Sequence, residues 1–198
     1  MDKKDLNSKD LLLSFLYSPG IDSKINEPIV GRTKLTKMMY LFEKELYSQF
    51  FEESIQIKLP IFKPYFFGPF SKQLFEDLSF FEAIGMINAS ETNIPLSAAD
   101  QIESSDVFDD IEDEWSETSF DNDNKYELSY KLSQSGEKYV EEKIWIHFSS
   151  IQKEKLKTFK SQINKISLDA LLRYVYNKYP EDAKKSLIAD KYLDKVDN

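Results

Sequence analysis

The sequence predicts an α+β, mainly helical fold in winged helix-turn-helix order, with a long acidic insert in the wing and a C-terminal helical extension. Three observations carry this. Apolar residues recur at helical spacing in six separate segments. Met86-Ile87 and the alternating stretch Tyr126 to Leu132 read as the two strands of a hairpin. Between those strands, residues 90–124 hold twelve acids and no Lys or Arg. Three helices, a hairpin with a long insert, then three more helices is the order of a winged helix over residues 1–148, with residues 149–198 as an extension packed on it.

Ser8 is placed to cap a first helix in which Leu11, Leu12, Phe15 and Leu16 face inward, and Ser18-Pro19-Gly20 stops it. Thr33 is placed to cap the second, whose stripe is Leu35, Met38, Met39, Phe42 and Leu46. An extended stretch from Ile55 to Phe62 follows. Ser71 then caps a third helix with Leu74, Phe75, Leu78 and Phe81 inward, and Gly85 ends it as a C′ glycine. After the hairpin, Ser135 opens a helix running to about Phe148. Ser149 with Gln152 forms a capping box for the next, in which Leu156, Phe159 and Ile163 face inward. Ser167 caps the last, with Leu168, Leu171, Leu172, Val175 and Tyr179 in line, and Pro180 ends it. The insert reads as a solvated loop with a short helical piece around 107–115.

Apolar residues make up 41% of the 198, enough to bury a core, and there is no cysteine, which removes disulfides and thiolate chemistry. The first ten residues, MDKKDLNSKD, are too charged for a signal peptide, and no apolar run approaches a membrane span. A soluble, cytoplasmic protein is the expectation. The net charge of −9 is uneven: without the twelve acids of the insert, 23 acids face 26 bases, a body of net +3.

Three stretches carry a family resemblance: GRTKLTKMMYLFE (31–43), YFFGPFSKQLFEDLSFFEAIGMI (65–87) and YKLSQSGEKYV (130–140). In this order they resemble the antitoxin SocA-like family, also called Panacea or YwgA-type domains, and LLRYVYNKYPE (171–181) is similar to a segment found after the domain in YwgA-like members. Leu132-Ser133 stands where that family commonly has Leu-Thr, and the insert is longer than a simple wing. The resemblance implies a non-enzymatic domain, an antitoxin or regulator that acts by binding a partner protein and sometimes DNA.

Chemistry-bearing residues are sparse. The single histidine, His147, sits in an apolar-aromatic stretch and reads as a packed helix residue. Asp109, Asp110, Glu112, Asp113 and Glu114 lack the glycine-punctuated spacing of a calcium loop. Five glycines form no phosphate loop or nucleophile elbow. No catalytic residue, metal or cofactor is therefore expected. Two kinds of surface remain. A protein partner, by the resemblance a toxin or defence effector, would meet the aromatic corner Tyr65, Phe66, Phe67 and Phe70, the outward Lys72, Gln73 and Glu76 of the third helix, and Asp109 to Trp115 of the insert. Alternate residues of an extended corner face opposite ways, so Tyr65 and Phe67 are expected on one side and Phe66 on the other. Nucleic acid is the alternative, with Arg32, Lys34 and Lys37, or Lys153, Lys157 and Lys160 on one helix face, as phosphate contacts. Glu76, Asp77 and Glu82 make the third helix a poor reader of bases. An acidic tract on a mildly basic body would also serve as a mimic of nucleic acid.

Overall fold

The chain is α+β and mainly helical in the computed structural model, which describes residues 4–50, 55–95 and 126–193. Asp109, Asp110, Glu112, Asp113, Glu114, Trp115 and the expected helix over 107–115 lie outside the described residues.

A strand β1 (Lys4–Leu6) precedes α1 (Ser8–Tyr17). Ser8 does not cap α1. Asn7 does, accepting from the N–H groups of Lys9 and Asp10 while the Asp10 carboxylate accepts from the Asn7 N–H at 2.9 Å. The complete box one residue earlier frees Ser8 to turn inward. β2 (Ile29–Val30) leads to α2 (Arg32–Leu41), and here the cap is Gly31 rather than Thr33, which is buried inside the helix. Gly31 has φ +88°, and the Glu127 carboxylate stands 3.4 Å from where a Cβ would be, an anion at the positive end of α2.

One turn of π-helix (Phe42–Leu46) joins α2 to α3 (Tyr47–Phe50). Within it, Glu45 Oε1 accepts from the Tyr174 hydroxyl at 2.8 Å, the Tyr179 hydroxyl at 2.9 Å and Lys178 Nζ at 3.0 Å, which ties this turn to the C-terminal helices. β3 (Ile55–Ile57) pairs in parallel with β1, and β4 (Lys63–Tyr65) pairs antiparallel with β5 (Gly68–Phe70). Ser71 caps α4 (Lys72–Ala83) as expected. The helix closes in a Schellman turn: Gly85 is at φ +69°, its N–H bonds the Glu82 carbonyl, and the Met86 N–H reaches the Phe81 carbonyl.

β6 (Ile87–Pro95) and β7 (Tyr126–Leu132) form the expected hairpin, and β2 adds to it in the order β2-β7-β6. Residues 90–95, expected as the start of a loop, are strand instead: β7 offers partners to Ser90 and Glu91 and, past a register shift, to Pro95. α5 (Gln134–Lys143) is capped by Ser133, not Ser135, and stops before Phe148, with Trp145–His147 as a separate 3₁₀ turn. α6 (Ser150–Lys165) has the Ser149–Gln152 box, and α7 (Leu168–Lys178) has Ser167. Pro180 starts a further short helix, α8 (Pro180–Ala183), as an N1 proline, and α9 (Ala189–Tyr192) follows.

One buried cluster takes residues from both ends of the chain: Leu12 and Phe15 of α1, Met38 and Phe42, Leu78 of α4, Phe159 of α6, and Leu172 and Tyr176 of α7. Phe15 meets Phe42 edge-on at 5.3 Å and Phe159 at 5.9 Å. The C-terminal helices thus share the core of the helices before them. No helix among the described residues is long and apolar enough to cross a membrane.

Candidate functional site

The stretch KPYFFGPF folds back on itself. Lys63 pairs with Phe70, Pro64 with Pro69 and Tyr65 with Gly68, which leaves Phe66-Phe67 as a two-residue turn. Alternation therefore breaks at the turn, and the expected sides are corrected: Tyr65 and Phe66 lie together, centroids 4.6 Å apart, while Phe67 is buried at 3% exposure. Tyr65 also stacks on Phe70 at 5.1 Å, and Phe70 meets Phe75 of α4 at 4.6 Å. Phe66, Tyr65, Phe70 and Phe75 thus make a continuous row of half-buried rings, closed at the far end by the Arg32 guanidinium 5.3 Å from the Phe75 ring.

Three features of the interior fix this row. Lys37, at 1% exposure, drives its ammonium under the hairpin and donates to the Phe67 carbonyl at 2.6 Å and the Pro69 carbonyl at 3.0 Å. The turn carbonyl of Phe66 accepts from the Ser186 hydroxyl at 3.1 Å and the Leu187 N–H at 2.9 Å. Gly68, at φ +80°, lies against Tyr176, whose Cε1 would stand 2.6 Å from a Cβ at that position. A buried charge-assisted hydrogen bond is worth more than a neutral one, so Lys37 ties α2 to the hairpin where two prolines supply no N–H.

The cations expected as phosphate contacts have other duties. Lys37 and Lys160 are buried, a correction to their expected place on solvated faces. Lys160 Nζ donates to the carbonyls of Leu16 at 2.9 Å and Ser18 at 2.7 Å, closing the C-terminal end of α1. Burial pushes its ammonium down to about 7, with Glu27 pulling the other way. Lys34 does the same for α6: it donates to the Ile166 carbonyl at 2.7 Å and the Asn164 carbonyl at 3.4 Å, and burial lowers its pKa against the pull of Glu127. The sequence shows these lysines only as charge at helical spacing. For Lys37 the only sign of burial in the sequence was its i+3 and i+4 neighbours, Tyr40 and Leu41.

The others remain nearer the surface. Arg32 Nε donates to the Tyr130 hydroxyl at 3.3 Å and draws on Glu82, whose carboxyl burial holds above its ordinary range. Lys153 lies 5.6 Å from the Trp145 ring, and Lys157 pairs with Glu154 at 3.6 Å. On α4, Lys72 pairs with Glu76 at 3.7 Å. Gln73 donates to the Ser8 hydroxyl at 2.8 Å, which donates to buried Asp77 at 2.9 Å. Gln73 and Asp77 thus dock α4 on α1. His147 lies half-buried in its 3₁₀ turn. Among the described residues no three His, Asp or Glu side chains come together as a metal site.

Comparison with family models, with curated proteins and with solved structures returned no match to this chain.

Proposed function

We propose that this protein is a non-catalytic regulator that grips a partner protein through the ring row Phe66, Tyr65, Phe70 and Phe75, in the antitoxin manner that its likeness to the SocA-like family implies. The observation that carries the reading is the effort the fold spends on that row. A buried lysine, the C-terminal segment and a glycine seated on Tyr176 all hold one short hairpin in place. Preorganised aromatic rings are what protein interfaces use as anchors, because little conformational entropy is lost on binding. With the π turn, α3 and β3–β5 inserted between α2 and α4, the order α1, β2, α2, α4, β6, β7 and the sheet order β2-β7-β6 support the winged-helix form of the domain.

That same order favours a second reading, a DNA-binding regulator held back by its acidic insert. The residues count against it. Glu76 and the buried Asp77 occupy the helix that would enter the major groove, Lys72 is ion-paired, and Lys34, Lys37 and Lys160 serve backbone carbonyls. A photo-crosslinking phenylalanine analogue at position 66, with position 151 as control, separates the two in native cells. The partner-protein reading expects discrete, nuclease-resistant protein adducts from position 66 alone. Adducts that disappear with nuclease, or equal adducts from both positions, would refute it.

A further inference from the structure

Resting on that partner-protein reading, we infer that the ring row receives a short apolar segment bordered on both sides by carboxylates. The rings already engage one another: Tyr65 lies against Phe66, tilted by 33°, and stacks on Phe70 at 30°, while Phe75 meets Phe70 at a 53° tilt with the Arg32 guanidinium beside it. A nucleobase needs a free ring face to stack on. Side-chain insertion along ring edges does not, so the row suits aliphatic or aromatic side chains of a peptide. Leu187, 59% exposed, extends the apolar strip beyond Phe66, to which its N–H is bonded.

Charge supplies the rest. Around the row, Lys72 is balanced by Glu76 and Lys184 by Glu181. Lys63 and Lys185 have no carboxylate partner among the described residues, and both are exposed. They belong to different parts of the row. Lys63 is the cross-strand partner of Phe70 and shares its face of the hairpin, whereas Lys185 immediately precedes the Ser186-Leu187 pair that holds Phe66. In a chain of net −9 this is a local positive rim around an apolar strip, and its complement is an apolar segment with an Asp or Glu at either end.

A displayed library of random dodecapeptides, selected on the full chain, tests this. Selected peptides are expected to combine Leu, Phe or Trp with flanking Asp or Glu. Their binding, followed by fluorescence polarisation, should weaken at least tenfold with Phe66→Ser, and also with Lys63→Glu or Lys185→Glu, exposed sites that leave the core intact. Exchanging the peptide's matching carboxylate for Lys should restore affinity to the Lys63→Glu protein. Recovery of no peptides, of peptides without acidic bias, or of peptides indifferent to both charge reversals would overturn the inference, as would displacement by single-stranded oligothymidine. Protein adducts at position 66 alongside any of these results would leave the partner-binding reading standing and sink only the chemistry assigned to the partner.

Discussion

Replacing Gly68 by Ala tests whether the hairpin is seated on the core as described. Two penalties follow from the geometry. At φ +80° an L-residue costs about 1–2 kcal/mol in backbone conformation. The new Cβ would also stand 2.6 Å from Tyr176 Cε1 and 3.2 Å from its Cζ and Oη. Tyr176 cannot swing away: it has no exposed surface, meets Tyr192 edge-on at 5.7 Å, and shares a hydrogen bond of 2.9 Å with Ser186. Overpacking of this kind costs roughly 1–3 kcal/mol more, for a total of about 2–5 kcal/mol. Gly85 is the internal control, because it has φ +69° and nothing within 4 Å of its Cβ position. Gly85→Ala should carry only the backbone penalty, about 1–2 kcal/mol. Urea unfolding of both variants, with m unchanged, measures the difference. Equal losses within about 0.5 kcal/mol would refute the contact with Tyr176 and with it the claim that the core fixes the ring row.

Other outcomes follow from the buried charges and caps. The depressed pKa of Lys160 means that between about 7 and its ordinary 10.5 the unfolded chain binds the extra proton, so stability should rise with pH across that window, by up to roughly 1.4 kcal/mol per pH unit. Lys160→Met should flatten that rise in urea midpoints taken at pH 6.5, 8 and 9.5, and an unchanged slope would refute the assignment. Asp77 has the opposite sense: burial raises its carboxyl pKa against the Ser8 and Lys9 contacts, so its contribution is full below the ordinary 3.8 and is lost as pH rises through the elevated value. Asp77→Asn should remove that loss, seen as a shallower fall in thermal midpoint between pH 4 and 7. Ser149→Ala breaks one arm of the α6 box and should cost about 0.5–2 kcal/mol, with no change in the affinity of the peptides selected on the ring row.

Helices and the hairpin were legible because their signals are local. Apolar residues at 3.6-residue spacing, the Ser149–Gln152 box, Gly85 and the alternation at 126–132 each act within one turn or one strand, so β7, α4 and the starts of α6 and α7 follow from nearby residues. Errors gathered where two local solutions compete. Asn7 outranks Ser8 because Asp10 completes its box, and Gly31 displaces Thr33 because a carboxylate from β7 reaches that helix end. The parallel pairing of β1 with β3 and the closure of 63–70 on itself had no local sign, since each depends on partners chosen by the rest of the chain.

The sequence by itself determined the helical character, the order of the main helices and the β6–β7 hairpin, the concentration of acid in one segment and the presence of an aromatic corner. Only the tertiary structure decided which charges are available. Lys34, Lys37 and Lys160 have the same composition and spacing as any solvated lysines, yet each reaches a pair of carbonyls on a distant element. The physical reason is that spacing fixes which face of a helix a residue lies on, whereas burial is fixed by what packs against that face, and a long amine can follow either water or a buried carbonyl.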